Sequence, residues 1–227
     1  MTDTATLDHY LREHPLCADV ISRLPEPPDG TANDLYRAAA AGEDTPLHWA
    51  TLIRWIDQSL DPQVTGYALG LSRFPQYPAA VPYQTLAGVK LAARPLWQAA
   101  EEAMRELGAP LREVPRPNAR ALGMPWYFLW LGATANAACS GVGLWTGILH
   151  WFQFSSAMVR ICDRRPDLPP EIRRVFARFE TYPTEMMKAC LDLGEGGLAS
   201  GESADDALTA AYVGISSMDA FLSECVR

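Results

Sequence analysis

Between Arg120 and Arg160 the chain carries no charged residue, a silence of 39 positions in a sequence of 227. Elsewhere charge is unevenly spread: residues 1–61 hold 11 acids and 4 bases, 62–120 hold 4 and 7, and 160–227 hold 12 and 8. The net charge is −8. That balance lacks the clustered cations needed to displace phosphate counterions or to grip an anionic membrane, and so argues against nucleic-acid and lipid-surface binding, with peripheral membrane association left as a minor alternative. The silent stretch is long enough to span a bilayer. However, Asn136, Ser140, His150, Gln153 and five glycines from Gly123 to Gly147 interrupt it, and arginines flank it on both sides. Neither a clean apolar window nor a positive-inside asymmetry results, and the segment reads as the buried centre of a soluble domain.

Other absences narrow the class further. Valine and isoleucine together number 17 against 59 alanines and leucines, which favours helices over sheets. Five widely spaced cysteines form no C-x-x-C pair, so neither a disulfide framework nor a zinc site is expected. The N-terminus has acids where a secretory leader needs basic and then apolar residues, and the expected location is cytoplasmic. No Glu has a His three residues later, as carboxylate-bridged di-iron bundles require. Gly194-Glu195-Gly196-Gly197 lacks the Lys-Ser/Thr of a phosphate-binding loop and reads as a helix terminator. No metal and no cofactor are therefore expected. Lysine is scarce too, with Lys90 and Lys188 standing against seventeen arginines, a bias that reads as mutational pressure.

What is present is helical. Clustered prolines separate patterns that predict helices at about 5–23, 33–41, 46–60, 84–107, 126–138, 144–164, 170–193 and 203–225. Thr45-Pro46 and Ser203 are N-cap candidates, while Pro95 and Pro183 should kink or split their helices. In 144–164, Leu144, Ile148, Trp151, Phe152, Ser155 and Val159 form one stripe, and the other faces are apolar as well. A helix apolar all round is buried all round. The expectation is a single all-α domain over 1–227, a bundle of seven or eight helices around a central helix at 144–164.

Candidate chemistry gathers at the edges of the silent stretch. Glu43 and Asp44 precede a helix that carries His48, and they serve either as a cap or as a general base holding a substrate ammonium. His150 is either a satisfied core histidine or a polar group in an aromatic cavity with Trp126, Tyr127, Trp130 and Trp151. Lys90 lies among small apolar residues, where it snorkels or stabilises an anion. Arg160, ending the buried stripe, is the arginine expected to reach an anionic substrate group.

Three stretches resemble a known family: Ile148-Leu-His-Trp-Phe-Gln-Phe, Val175-Phe-Ala-Arg-Phe-Glu-Thr-Tyr, and Asp206-Ala-Leu-Thr-Ala-Ala-Tyr ending Met218-Asp-Ala-Phe-Leu. In order and spacing they are similar to the C-terminal half of TenA/PqqC-type proteins, over about a third of the chain. The resemblance implies a haem-oxygenase-like helical fold with a central small-molecule cavity. The hydrolases of that family would have a catalytic cysteine near His150, and a glutamate followed by Phe-Trp where this chain has Met218-Asp219-Ala220-Phe221. These departures count against thiaminase-like hydrolysis.

The sequence thus predicts a cofactor-independent enzyme acting on a small polar metabolite, in specialised metabolism. Carboxylate acid–base chemistry would drive cyclisation, elimination or hydrolysis. The alternative is a non-catalytic subunit or ligand-binding protein whose apolar segment 121–159 packs on a partner, as a homo- or hetero-oligomer.

Overall fold

The computed structural model describes residues 4–227, with side chains from residue 6 onward. Met1–Asp3, the start of the acidic N-terminus noted above, lies outside the described residues. The described residues are all-helical, with no strand among them: α1 (Thr4–Glu13), α2 (Pro15–Ser22), α3 (Asp34–Ala41), α4 (Pro46–Arg73), α5 (Ala80–Glu106), α6 (Ala119–Ala133), α7 (Ala137–Cys162), α8 (Pro170–Ala177), α9 (Thr184–Ala199) and α10 (Ala204–Glu224). A 3-10 turn at Leu111–Glu113 joins α5 to α6.

Local chemistry sets most of the starts. Asn33, Thr45, Asn118, Asn136 and Ser203 each accept a backbone N–H of the first turn, satisfying donors that a helix leaves open. At Thr45 the His48 ring returns the favour by accepting the Thr45 N–H at 3.2 Å, which closes a capping box. Where α2 and α7 need help, distant acids supply it. Glu195 accepts from the Leu16 and Cys17 N–H groups at 3.1 and 2.9 Å, and Glu202 accepts from Ala138 at 2.6 Å.

Several boundaries differ from those expected, each for a packing or capping reason. The helix starting at Pro46 runs through Pro62 to Arg73 because Gln63, Gly66, Tyr67 and Gly70 are buried against neighbours, and burial outweighs the lost hydrogen bond. Pro95 likewise lies inside a continuous α5. Asn136 caps α7, so the central helix starts at Ala137 and the preceding one ends at Ala133. His14-Pro15 divides the first segment, and Pro183 divides 170–193 as its ring requires. The glycines at 194–197 do not terminate a helix: α9 runs through them, and they let it approach α7.

Six helices form a closed ring in which α4 packs on α5 and α6, α6 on α10, α10 on α7, α7 on α9, and α9 on α5. Outside the ring, α2 and α3 lie against α7, and Gly30 presses on its backbone at His150 and Phe154. Every residue from Ala138 to Phe152 is consequently buried, which matches the central helix expected from the silent stretch. Two contacts set the ring's diameter. A Cβ at Gly132 would overlap the Gly66 carbonyl oxygen between α6 and α4, and one at Gly141 would overlap the Gly194 amide between α7 and α9. Because the obstructing atoms are backbone, Gly132→Ala forces two helices apart and is expected to lower unfolding free energy by at least about 2 kcal/mol in urea titrations. An unchanged midpoint would contradict this close approach.

Candidate functional site

The six ring helices enclose a slot on the ring axis. It contains about 540 Å³ of unfilled space, mouth included, of which about 40 Å³ admits the centre of a water molecule. That is room for a few waters or one slender organic chain. Phe128, Ile148, Phe152, Phe179, Met186 and Met218 contribute to walls that are almost wholly apolar.

Three polar side chains face this environment incompletely paired. Lys90, one turn after Leu86 on α5, holds its Nζ 5.4 Å from the Trp151 ring centre and 5.9 Å from that of Phe179. The ring faces offer the ammonium its only visible attraction, since no carboxylate lies within ion-pair distance among the described residues. Burial without compensation pushes the amine down to about 8. Gln63, one to two turns beyond Ile56 and Ser59 on α4, donates from Nε2 to Ser59 Oγ at 2.8 Å, yet its Oε1 is buried without a partner. The Trp151 Nε1–H is also buried and unpartnered. A buried donor or acceptor left open costs roughly 1–3 kcal/mol.

Of the residues singled out from the sequence, Lys90 and Trp151 meet here; the others do not line the slot. Lys90 is partly buried, with its ammonium against the Trp151 and Phe179 rings. Trp126 and Trp130 are 59% and 43% exposed on the outer face of α6, because the 3.6-residue period turns them away from the Met124 and Phe128 that face inward. Tyr127 is buried and donates to the Ala210 carbonyl at 2.9 Å, a structural tie between α6 and α10. Arg160 is exposed near the end of α7. Glu43 is exposed in the turn before α4. Asp44 has a fully enclosed side chain with both oxygens engaged, Oδ1 by Arg165 Nη1 at 2.7 Å and Oδ2 by the Trp49 indole N–H. It fastens the α3–α4 turn to the segment after α7. His48 beside it is pushed down by burial, against the opposing pull of Asp44.

No family model, curated protein or solved structure matches this chain. The TenA/PqqC-type resemblance thus rests on the residues quoted for it. The two positions where the chain departs from that pattern lie together: His150 Nε2 is 2.9 Å from Asp219 Oδ1. His150 is wholly buried with Nδ1 unpartnered, while Asp219 reaches a separate groove lined by Pro25, Asp29 and Tyr212. Sequence reasoning missed Gln63, Phe179 and Asp219. Gln63 was legible in principle, since Ile56, Gln63 and Tyr67 share one helical face once the helix is carried through Pro62.

The Lys90 placement has a signed pH consequence. Its amine is depressed in the folded protein and ordinary, near 10.4, in the unfolded chain, so stability is gained as pH rises from about 8 toward 10.4. The five buried thiols act oppositely: burial raises them, so ionisation of the unfolded chain erodes stability above about pH 8.5. The difference between wild type and Lys90→Met isolates the lysine. Urea midpoints should favour the variant at pH 7, and the gap should shrink steadily to pH 10.5. A gap independent of pH would contradict the desolvated amine.

Proposed function

We propose that this protein is an enzyme that binds a small, slender, largely apolar molecule in the slot, with the Lys90 amine as the group that meets the ligand's polar end. One observation carries the reading: a cation with no counter-ion among the described residues is held against the aromatic rings of a largely apolar slot. If packing alone were served, methionine or leucine would fill the same place without the several kcal/mol of desolvation that a buried charge entails. The carboxylate chemistry expected from the sequence would need Glu43 or Asp44 at the cavity, and neither lines it. The amine therefore takes the chemical role in this proposal, and the ligand is less polar than the sequence suggested.

Gly147 supports the same reading. It lies within α7 at the cavity wall, where an added Cβ would meet Met218 and Phe128 at 3.5–3.8 Å, ordinary contact distances. Alanine there would relieve the helix of roughly 0.5–1 kcal/mol of glycine penalty. Gly147→Ala should therefore raise the melting temperature by roughly 1–4 °C and weaken binding of 1-hexanol, followed by tryptophan emission. A wild-type titration with no saturable change in emission would sink the proposal.

A second reading, association with another protein, is favoured by a different observation. Leu122, Trp126 and Trp130 recur every four residues as an exposed stripe on α6. The rest of segment 121–159 is largely enclosed by its own chain, which confines such an interface to that stripe. No helix of the described residues is long and apolar enough to cross a membrane. Native mass spectrometry of wild type and Trp126→Lys/Trp130→Lys decides the point: a monomer in both cases removes self-association.

A further inference from the structure

Resting on the reading of the slot as a ligand site, we propose that Lys90 is a nucleophile that forms an imine with an aldehyde or ketone carried on an apolar chain. Four observations converge on this chemistry. The amine lies along a largely apolar slot, has no carboxylate within ion-pair distance among the described residues, faces two aromatic rings, and shares the slot with Gln63, whose carbonyl is unpartnered.

In the first step the Nζ lone pair forms a C–N bond to the carbonyl carbon, and the π pair moves to the oxygen, which takes up a proton. The resulting carbinolamine loses its hydroxyl as water, and the nitrogen lone pair closes the C=N bond. Overall, one carbonyl compound and one lysine ammonium give one protonated imine and one water, with no oxidant or reductant. Each feature of the slot favours a part of that sequence. Gln63 lines the same slot with an unpartnered Oε1, which would accept from the carbinolamine O–H or the iminium N–H once its amide turns toward them. Trp151 and Phe179, which attract the ammonium, attract the iminium equally well. The dry walls limit the water that would reverse the last step. At pH 7, an amine titrating at about 8 is about 10% free base, against well under 1% for an ordinary lysine.

The chain contains its own control. Lys188, its only other lysine, binds Asp192 Oδ1 and Oδ2 at 2.8 and 3.0 Å, and this pairing raises its amine above the ordinary value. Folded protein is incubated with hexanal and sodium cyanoborohydride at pH 7.5, digested, and mapped by mass spectrometry. The reduced adduct should favour Lys90 over Lys188 by at least about tenfold, and the preference should vanish in protein first unfolded in urea. Lys90→Met should lose the adduct at position 90 while labelling of Lys188 stays as in wild type. If that variant does not fold, the native-to-unfolded comparison in wild type decides alone. Saturable hexanol binding with Lys90 and Lys188 labelled equally would overturn the imine and leave the cavity proposal standing. Absence of both hexanol binding and Lys90 selectivity would overturn both.

Discussion

The requirement that α7 be covered on every side governs the rest of this structure. Before Arg160 in its last turn this helix carries no charge on any face, so it has no side to offer water there and partners must enclose it. The ring neighbours α9 and α10 cover its flanks, while α2, α3 and the Gly30 turn cover its back. Its polar groups are handled locally where they can be. Thr146 returns its hydroxyl to the Val142 carbonyl at 3.0 Å, and His150 reaches Asp219 on α10. Glycines at 141 and 194 allow backbones to meet where side chains would hold them apart.

Enclosure has a geometric consequence. Six helices closing into a ring meet on an axis, and whether the axis fills depends on the side chains pointed at it. Large residues from α6 and α7 fill much of it, but Gly147 withholds a side chain where at least a methyl would fit. The remaining slot is lined from all six helices, so it belongs to the assembled ring and to no local motif. Lys90 enters it from α5 without a counter-charge. The charges absent from α7 before Arg160 are thus one side of an arrangement whose other side is a single amine reaching its Trp151 from α5.

The degree to which this was legible in the sequence follows from the range of each determinant. The class, the caps at Thr45 and Ser203 and the buried character of 144–162 depend on local pattern and emerge directly. The continuation of α4 through Pro62 depends on burial of Gln63 and Tyr67 by other helices, which no local rule encodes, and Gln63 was lost with it. Trp126 and Trp130 mislead for a related reason. Aromatic richness predicts a cavity, but one helix must place side chains both inward and outward, and on α6 the inward positions are Met124 and Phe128. Asp44 behaved as a structural acid because its two oxygens meet Arg165 and Trp49, partners separated from it by 121 and 5 residues. Only the second is close enough to anticipate.

The cation at position 90 being lysine carries weight of its own. A chain with seventeen arginines and two lysines meets nearly every need for positive charge with guanidinium, including the forked pairing of Arg165 with Asp167. Guanidinium would serve an anion-binding role in the slot as well or better, through its planar array of donors. What it cannot do is lose its proton in the physiological range or attack a carbon centre. An amine desolvated on an aromatic surface can do both, and burial brings the necessary proton loss close to neutral pH. Charge recognition alone would therefore not distinguish lysine from arginine at this site, whereas nucleophilic chemistry does.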